Sequence, residues 1–592
     1  MPDGPAHPTA PDDAVLGVVR SARGRRWRRR TGAPEFAAAL ARAHDLPDAV
    51  AAVLAARVKT AEEAGVFLEP RLRDQLPDPS HLLDMDLAVD RVARALAAGE
   101  RIAILADYDV DGATSGALLR RVFRALGADP LVYVPDRERE GYGPNPEAMR
   151  KLRQAGAGLV VTVDCGATAF EAIEAANAAG LDVVVLDHHV GAAETPAAFA
   201  VVNTNRADET SPHRQLAAVG VAFLFAVALR RVVPAARDLD LMGLLDLAAL
   251  GTVADVAQLT GVNRALVAQG LKVMAARGNP GVAALLQVGG VQAAPSAYHL
   301  GFVLGPRINA GGRIGESGLG LELLSTDDPA RAAEIAAALD DLNRERQEIE
   351  RVVLDAAMAA AEAQVEAGQP IVAVAGEGWR QGVVGIVASR LVERFARPAL
   401  VAALDGEMAV GSGRSVAGVR LGPAVIALRE AGLHTAGGGH DLAAGFRLPA
   451  AGFEDFRAAL AERLAPEIAA AGETATFDVD GVVGPAGARH VALALDRLAP
   501  YGQGNPEPRF AMAGLRLKRV DVVKDAHLRL RMEGPDGSRI SGMAFRAVDR
   551  PLGRFLLEAM GGVAHVAGRI EVDAWQGRDD ARLIVEDASA AG

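Results

Sequence analysis

The sequence predicts an α/β protein in which two α/β domains are joined by a long helix and followed by a small β-barrel. Between residues 101 and 260, apolar strand-like runs alternate with helical patterns, which is typical of a parallel sheet covered by helices. From Asp328 to about Glu366 the helical pattern is uninterrupted and predicts a connector roughly 55–60 Å long. After Gly472 the pattern changes to short alternating strands.

Each element follows from its local pattern. In the first α/β domain we predict strands at 102–106, 131–134, 159–163 and 183–186, helices at 113–126 and 168–179, and a buried helix at 216–229. In the second we predict strands near 371–375, 399–404 and 409–411 and helices near 383–395 and 453–464. Strands at 515–523, 528–532 and 563–572 suit a barrel of the oligonucleotide-binding (OB) kind. The expected boundaries are a tail at 1–35, the first domain with a helical N-terminal extension at 36–327, the connector at 328–368, the second domain at 369–470 and the barrel at 471–592.

Composition limits the class of protein. A chain of 592 residues is too long for one hydrophobic core and suggests several domains. The single cysteine, Cys165, excludes a disulfide framework and suits a reducing cytoplasm. The amino terminus lacks the apolar core of a signal peptide, and the apolar run 216–229 is too short to span a bilayer. We therefore expect a soluble, cytoplasmic protein without a membrane partner.

Charge is unevenly distributed along the chain. The net charge is −12, yet seven arginines lie between residues 20 and 30 around Trp27. This stretch predicts a disordered basic tail, either a phosphate-binding arm or a solubilising segment. Between Glu507 and Arg550 ten Lys/Arg face six Asp/Glu, so the predicted barrel is basic within an acidic protein. The net charge of the whole chain argues against a nucleic-acid partner, but the local basic region is compatible with one.

Three carboxylates follow the first predicted strand at every second residue: Asp107, Asp109 and Asp111. Anions packed this tightly repel one another strongly in any site shielded from water. A shared divalent cation would remove that repulsion, and oxygen ligands suit Mg²⁺ or Mn²⁺. A solvated acidic turn is the alternative for this segment taken alone.

Similar polar groups follow other apolar runs. Asp164 follows the run 160–163, and Asp187, His188 and His189 follow the run 183–186. Asp255 follows a longer apolar run, 247–254. In an open α/β sheet, ligands gather at the carboxyl ends of the strands, so these residues are expected to converge. A capping aspartate or a satisfied core histidine explains any one of them, but not all of them together.

These segments resemble the successive motifs of the DHH phosphoesterase superfamily. The segment 437–440 resembles the glycine-histidine motif of the associated DHHA1 domain. The segments 305–313 and 411–415 resemble parts of the bacterial single-strand-specific exonucleases of that superfamily. The resemblance covers roughly residues 40 to 590, and no metal ligand of the pattern is missing.

The resemblance implies two divalent cations, Mn²⁺ or Mg²⁺, and a division of their ligands. Asp107, Asp109 and Asp164 would hold one ion; Asp111, Asp164, His188 and Asp255 would hold the other. His189 would face the scissile phosphate, and Asp187 would orient a histidine. No Ser-His-Asp or Cys-His arrangement offers a competing nucleophile, so we expect water activated by the ions to attack.

The resemblance also implies residues that bind the substrate. Arg307, Arg313 and Arg414 lie in expected glycine-rich loops, where a guanidinium can clamp an anion. The resemblance implies that some of Arg137, Arg313, Ser412 and Arg414 hold the 5′-phosphate of the strand; ordinary surface salt bridges are the alternative. The glycine run would let a nucleotide backbone pass closely while a histidine donates to a phosphate. The expected substrate-binding residues are Arg137, Arg307, Asn309, Arg313, Ser412, Gly413, Arg414, Gly438, Gly439 and His440.

The implied function is a single-strand-specific 5′→3′ DNA exonuclease that releases 5′-mononucleotides in recombination and repair. A helicase and a single-strand-binding protein are the implied partners, and the implied oligomeric state is a monomer. A DHH phosphodiesterase acting on short oligonucleotides or cyclic dinucleotides is the alternative enzyme. A non-catalytic scaffold is the alternative of another class, but such a protein is expected to have lost metal ligands.

Overall fold

A computed structural model of the chain describes residues 14–30, 32–136, 139–473, 475–573 and 580–591. Its residues divide into two compact units. The first comprises residues up to 76, residues 258–268 and residues from 475 onward. The second comprises residues 77–257 and 269–474. Within the described ranges, no helix combines the length and the apolar character needed to cross a membrane.

Residues 14–30 take part in packed structure, which corrects the expectation of a disordered tail for that part; residues 1–13 of the predicted tail lie outside the described residues. Strand β1 (Arg26–Arg29) pairs in parallel with residues 476–479. Trp27 is fully buried, and its indole N–H donates to Asp587 at 3.1 Å. Neighbouring arginines form ion pairs: Arg28 with Asp478 at 2.8 Å and Arg30 with Asp480 at 3.4 Å. The stretch is part of a packed domain, and several of its charges are already matched.

Four short helices follow: α1 (Pro34–His44), α2 (Asp48–Ala55), α3 (Ala61–Leu68) and α4 (Leu72–Gln75). Their apolar side chains, among them Leu40 and Leu54, share one hydrophobic core with the carboxy-terminal barrel. The prediction that they extend the first α/β domain is therefore wrong for residues 36–76. That domain begins with α5 (Met85–Ala98).

The first α/β domain contains a five-stranded parallel sheet. Its elements are β2 (Ile102–Ala106), α6 (Val110–Ala125), β3 (Leu131–Tyr133), α7 (Pro146–Gln154), β4 (Leu159–Val163), α8 (Phe170–Ala178), β5 (Asp182–Asp187), β6 (Ala200–Asn203), α9 (Ala218–Val232) and α10 (Leu245–Ala254). The strand order is β3-β2-β4-β5-β6, and every neighbouring pair is parallel. Strand order reverses between β2 and β4, where open α/β sheets bind their ligands.

Helices α11 to α16 lead from the first sheet to the second. They are α11 (Gly261–Ala275), α12 (Pro280–Val288), α13 (Ala297–His299), α14 (Gly305–Ile314), α15 (Leu319–Ser325) and α16 (Pro329–Glu366), with a π-helical turn, Leu300–Leu304, between α13 and α14. The 38-residue α16 is the predicted connector, capped by the side chain of Asp328. The segment 305–313, expected as a glycine-rich loop, is helical.

The second α/β domain has a mixed sheet of order β10-β11-β9-β8-β7. Its elements are β7 (Val372–Glu377), α17 (Gln381–Phe395), β8 (Ala399–Asp405), β9 (Met408–Arg414), α18 (Leu421–Glu430), β10 (Ala436–His440), β11 (Ala443–Pro449) and α19 (Phe453–Glu473). The sheet is parallel only between β7 and β8. Residues 411–414 therefore lie on β9 and residues 437–440 lie on β10, so Arg414 is on a strand and not in the expected glycine-rich loop.

The carboxy-terminal region forms the predicted barrel. Its elements are β12 (Thr476–Val479), β13 (Gly481–Val482), α20 (Pro485–Leu495), β14 (Phe510–Val523), β15 (His527–Glu533), β16 (Arg539–Ala544), α21 (Pro551–Glu558), β17 (Val563–Asp573) and β18 (Asp580–Ala590). Pairing runs β14-β15-β16-β18-β17 and returns from β17 to β14, which closes a five-stranded barrel. This is the OB architecture that the alternating pattern predicted.

Candidate metal centre

The first acidic segment lies where β2 passes into α6. The side chain of Asp109 caps α6 by accepting hydrogen bonds from the backbone of Asp111 and Gly112, at 2.9 and 3.1 Å. Gly112 is required here because a Cβ would collide with the backbone of Asp107. The tight turn brings the carboxylates of 107, 109 and 111 to the carboxyl edge of the sheet.

Asp111 is almost fully buried in the first turn of α6. Its carboxylate accepts backbone hydrogen bonds from Ala218 at 2.6 Å and Val219 at 2.9 Å, at the amino terminus of α9. The positive end of a helix dipole therefore faces this carboxylate. A residue more than a hundred positions away thus orients one of the predicted ligands.

Asp164 follows β4 at the point where strand order reverses. Its backbone is left-handed, with φ 60°, which is an uncommon conformation for a residue with a side chain. The Tyr142 hydroxyl donates to its backbone oxygen at 3.1 Å. The carboxylate is buried, and its Oδ1 lies 3.3 Å from Nε2 of His188.

Asp187 ends β5 and holds the following segment in place. Its Oδ1 accepts hydrogen bonds from the backbone of His188 at 2.7 Å and from Nδ1 of His189 at 2.8 Å. Its Oδ2 accepts a hydrogen bond from the backbone of Ala167 at 2.9 Å. Burial opposes ionisation of Asp187, but the hydrogen bonds and the charge of His189 outweigh it and lower the pKa of this carboxyl.

Asp255 reaches the site from a helix, not from a strand. The apolar run before it forms helix α10. Asp255 caps the carboxyl end of that helix, and its Oδ2 lies 3.8 Å from Nδ1 of His188. The following residue, Val256, has a positive φ of 60° that turns the chain away.

Three overlapping groups of side chains bring their ligand atoms within 4.8 Å of one another: Asp107, Asp109 and Asp164; Asp111, His188 and Asp255; Asp164, His188 and His189. Seven of the eight predicted catalytic residues belong to these groups, and the eighth, Asp187, is hydrogen-bonded to His189. Asp164 belongs to two of the groups, as does His188. Shared residues of this kind are typical of centres that hold two cations close together.

The electrostatics of the groups favour a bound cation. Burial, followed by repulsion from the acidic turn, raises the pKa of Asp164 well above its usual range. Burial and the charge of Asp255 raise the pKa of Asp111 to about 7, and burial and the charge of Asp109 raise that of Asp255 to about 7. Positive charge at the centre would relieve this repulsion.

Unsatisfied atoms also match a divalent cation. Within the described ranges, Oδ1 of Asp164 and Nε2 of His188 are buried side-chain atoms without a hydrogen-bond partner. Buried polar atoms are normally paired, and a metal ligand is an exception with a physical reason. A donor set of carboxylate oxygens with an imidazole suits Mn²⁺ or Mg²⁺. The residues present therefore fit such a centre.

His189 is held by the buried carboxylate of Asp187, which affects its protonation. Burial alone would lower its pKa, but the hydrogen bond to Asp187 and the charge of that carboxylate raise it to about 9. The Tyr142 hydroxyl lies 3.2 Å from Nδ1 and 3.4 Å from Nε2 of His189. A protonated imidazole held in this way can donate a hydrogen bond to an anionic oxygen.

The expected substrate-binding residues do not all meet. Arg313 of α14 and Ser412 of β9 line one cavity of about 340 Å³, and Nη1 of Arg313 donates to the backbone of Gly382 at 2.7 Å. Gly382 lies on α17, and Arg414 approaches that helix too. A Cβ on Gly385 of α17 would lie 3.1 Å from Nη2 of Arg414 and 3.3 Å from Oγ of Ser412. These three side chains are brought together around α17.

Other members of the predicted set are placed differently. The Arg307 guanidinium pairs with Asp340 of α16 at 2.9 Å and donates to the backbone of Val303 at 2.7 Å. This ion pair engages the guanidinium that was predicted to clamp a phosphate, and the substrate-binding role of Arg307 stays a prediction. Asn309 is half-buried on α14, Gly413 lies buried on β9, and Gly438, Gly439 and the exposed His440 lie on β10. Arg137 lies outside the described residues.

Sequence reasoning missed two residues of these sites. Tyr142 contacts both Asp164 and His189, and its only signal is its position between the positive-φ residues Gly141 and Gly143. Arg447 of β11 lines the same cavity as Arg313, and nothing in its local sequence marks it. Both depend on contacts between segments far apart in the chain.

Comparisons with known proteins agree with this architecture. Residues 101–252 match the DHH family N-terminal domain, residues 368–465 the DHHA1 domain and residues 479–587 the RecJ OB domain. The chain is 38% identical to the single-stranded-DNA-specific exonuclease RecJ of Dickeya dadantii over 568 residues, covering 92% of this chain and 96% of that protein.

Further relatives extend the match. The chain is 34% identical to the RecJ of Bacillus subtilis over 538 residues, covering 90% of this chain and 66% of that longer protein. The crystal structure of RecJ from Thermus thermophilus in complex with Mn²⁺ superposes with a TM-score of 0.80 at 29% identity, covering 95% of this chain and 79% of that chain. The chain belongs to the RecJ family of the DHH phosphoesterases, with DHH, DHHA1 and OB domains.

Proposed function

We propose that the protein is a single-strand-specific 5′→3′ DNA exonuclease that releases 5′-mononucleotides and acts in DNA recombination and repair. The observation that carries the proposal is the convergence of carboxylates and histidines from four separate segments, with buried Asp164 among them. The names of the RecJ relatives support single-stranded DNA as the substrate. The retained acids and histidines argue against a scaffold that has lost catalysis.

Two divalent cations, Mn²⁺ or Mg²⁺, would activate water and neutralise the phosphoryl and leaving oxygens when bound. We assign Asp107, Asp109 and Asp164 to one ion and Asp111, Asp164, His188 and Asp255 to the other. The overlap of the clusters at Asp164 supports this division.

His189 is assigned to the substrate phosphate. The bond to Asp187 keeps its imidazole protonated near neutral pH, so it can donate to a non-bridging oxygen of the scissile phosphate. Asp187 acts as a positioning residue because it fixes the ring through Nδ1. Tyr142 holds the same ring from the other side.

The cavity around α17 is assigned to the 5′ end of the strand. Arg313, Ser412 and Arg414 offer a cationic, hydrogen-bonding environment that suits a terminal phosphate. Burial lowers the pKa of Arg414, which indicates a guanidinium poorly solvated by water and able to gain from an anionic ligand. Anchoring a 5′-phosphate in this cavity would give cleavage its 5′→3′ direction.

The OB barrel is assigned to the rest of the strand, because basic barrels of this kind bind single strands by charge and stacking. A helicase that exposes single strands and a single-strand-binding protein are the proposed partners. We propose that the protein acts as a monomer in the cytoplasm.

The decisive experiment uses purified protein with Mn²⁺ and a 5′-phosphorylated single strand labelled at its 3′ end. The matching blunt duplex and a dinucleotide serve as parallel substrates. Progressive shortening of the single strand, with mononucleotides released from its 5′ end, is expected. Cleavage confined to the dinucleotide would identify a short-substrate phosphodiesterase, and binding without cleavage would identify a scaffold.

The 5′-phosphate assignment has its own test. Arg414→Ala is expected to lower kcat/KM for 5′-phosphorylated strands about 10- to 100-fold, since a charge-assisted hydrogen bond contributes about 1.5–3 kcal/mol. Its rate on 5′-hydroxyl strands is expected to change little. Arg420→Ala, which removes an exposed arginine paired with Glu467 in the same domain, is the matched control. An unchanged preference for 5′-phosphate would remove Arg414 from the site.

A further inference from the structure

Tyr298 and Phe302 form an exposed pair of aromatic rings. They are 63% and 70% exposed, and their centroids lie 5.1 Å apart with planes inclined by 28°. Within the described ranges these are the most exposed tyrosine and phenylalanine; Tyr142 and Phe545 follow, each at 53%. The two rings thus present a stacked aromatic surface to solvent. Exposed apolar side chains on protein surfaces are usually isolated from one another, so an adjacent pair is unusual.

The backbone holds this pair in a defined position. Tyr298 lies in α13, and Phe302 lies in the π-helical turn that precedes α14. Nδ1 of His299 lies 3.0 Å from the backbone nitrogen of Ser296 and 2.9 Å from its hydroxyl. These contacts cap the start of α13. π-Helical turns are rare and occur frequently at functional sites.

The segment that carries the pair also packs on the framework of the candidate metal centre. A Cβ on Gly301 would lie 3.6 Å from Val253, and one on Gly305 would lie 3.6 Å from Ala254 and 3.8 Å from Val110. Val253 and Ala254 immediately precede one predicted metal ligand in the chain, and Val110 lies between two others. The aromatic pair is therefore carried by an element in direct contact with the segments that hold the metal ligands.

We propose that the Tyr298–Phe302 pair is a stacking surface for a nucleobase of the bound single strand; this rests on the proposed function. Every nucleobase has a π face, so an aromatic surface binds single strands without reading their sequence. The occupant is a base because two adjacent rings match a flat heterocycle. A docked protein helix would instead need a longer row of apolar anchors.

The pair is tested by combining single protein variants with strands that lack one base. Binding of 5′-phosphorylated oligothymidylate is measured by fluorescence anisotropy in EDTA, with an abasic site replacing one nucleotide at a time. Wild-type protein is expected to lose affinity by about 5- to 150-fold at one abasic position. Phe302→Ala is expected to bind the intact strand more weakly by a similar factor. Its affinity is expected not to fall further when the abasic site is placed at that position.

Control variants separate stacking from other effects. Phe302→Tyr keeps an aromatic face and is expected to restore both the affinity and the sensitivity to the abasic site. Tyr298→Ala repeats the comparison from the other ring, so the result does not depend on the folding of one variant. Leu87→Ala removes an exposed apolar side chain from α5 and is expected to bind as wild type does.

The outcomes separate this proposal from the function on which it rests. Wild-type binding of the intact strand supports a single-strand substrate, whatever the aromatic variants do. If Phe302→Ala and Tyr298→Ala keep the wild-type affinity and the wild-type pattern of abasic sensitivity, the stacking surface is excluded and the nuclease function stands. If the wild-type protein binds no single strand, both proposals are overturned.

Discussion

Oδ1 of Asp187 lies 2.8 Å from Nδ1 of His189, while Oδ2 of the same carboxylate accepts the backbone N–H of Ala167. The carboxylate thus ties the end of β5 to the turn after β4 and fixes the orientation of the imidazole. In the proposed function, this buried acid acts through the geometry of His189.

Replacing Asp187 by Asn is therefore expected to lower activity without unfolding the protein. The amide keeps the shape but loses the charge that holds the imidazole protonated, and loss of such an orienting partner typically costs about 10- to 100-fold. The check is kcat on a 5′-phosphorylated single strand together with the affinity for that strand in EDTA. A loss confined to binding would contradict the positioning role.

Removing the Asp164 side chain is expected to abolish both hydrolysis and stabilisation by metal. Mn²⁺ is expected to raise the Tm of the wild-type protein, because a bound cation relieves carboxylate repulsion and stabilises the folded state by mass action. Asp164→Ala is expected to show no such rise while still binding single-stranded DNA. Retained turnover in this variant would refute the shared-metal assignment; Asp341→Ala on the exposed face of α16 is the control.

Replacing Tyr142 by Phe removes the hydroxyl that contacts Asp164 and His189 but keeps the ring. We expect kcat to fall about 2- to 10-fold, since one neutral hydrogen bond contributes about 0.5–1.5 kcal/mol. Steady-state kinetics at saturating substrate measure the effect. A change in KM with kcat unaltered would show that Tyr142 contacts substrate instead of positioning the histidine.

Trp27 tests whether the basic amino-terminal stretch is structural. The ring is fully buried and contacts Phe477, so Trp27→Ala is expected to destabilise its unit by about 3–5 kcal/mol. Denaturant unfolding followed by circular dichroism measures the change. Arg29→Ala, at an exposed position of the same strand, is expected to have little effect. Equal stability of Trp27→Ala and wild type would restore the flexible-arm interpretation.

Asp246 provides a pH-dependent test of buried charge. Burial raises its pKa to about 6, although the backbone N–H of Leu247 and the charge of Arg121 oppose the shift. An acid with a raised folded-state pKa keeps its proton while the unfolded chain releases it, so stability falls as pH rises from about 4 to 6. Asp246→Asn is expected to remove this loss, up to about 3 kcal/mol. Unfolding free energies of both proteins at pH 4 and pH 8 check the sign.

Local patterns were enough to identify the acidic and histidine residues of the metal centre. Asp107, Asp164 and Asp187 each end or follow a buried strand, and parallel strands bring their carboxyl ends to one edge. The long connector was also predictable, because α16 combines an aspartate cap with uninterrupted helical residues. Such signals extend over a few neighbouring residues and need no knowledge of distant contacts.

Long-range packing resolved what local patterns left ambiguous. The apolar run before Asp255 suits a buried strand or a buried helix equally, and packing against α6 and α9 made it helical. Arg307 was predicted as a phosphate clamp from its local sequence, whereas its ion pair with Asp340 depends on a different helix. β1 was hidden because its partner β12 lies about 450 residues away. Residue type and local pattern predict which side chains are suited to the chemistry. The tertiary structure decides which partners each of those side chains has, because the partners come from segments remote in the chain.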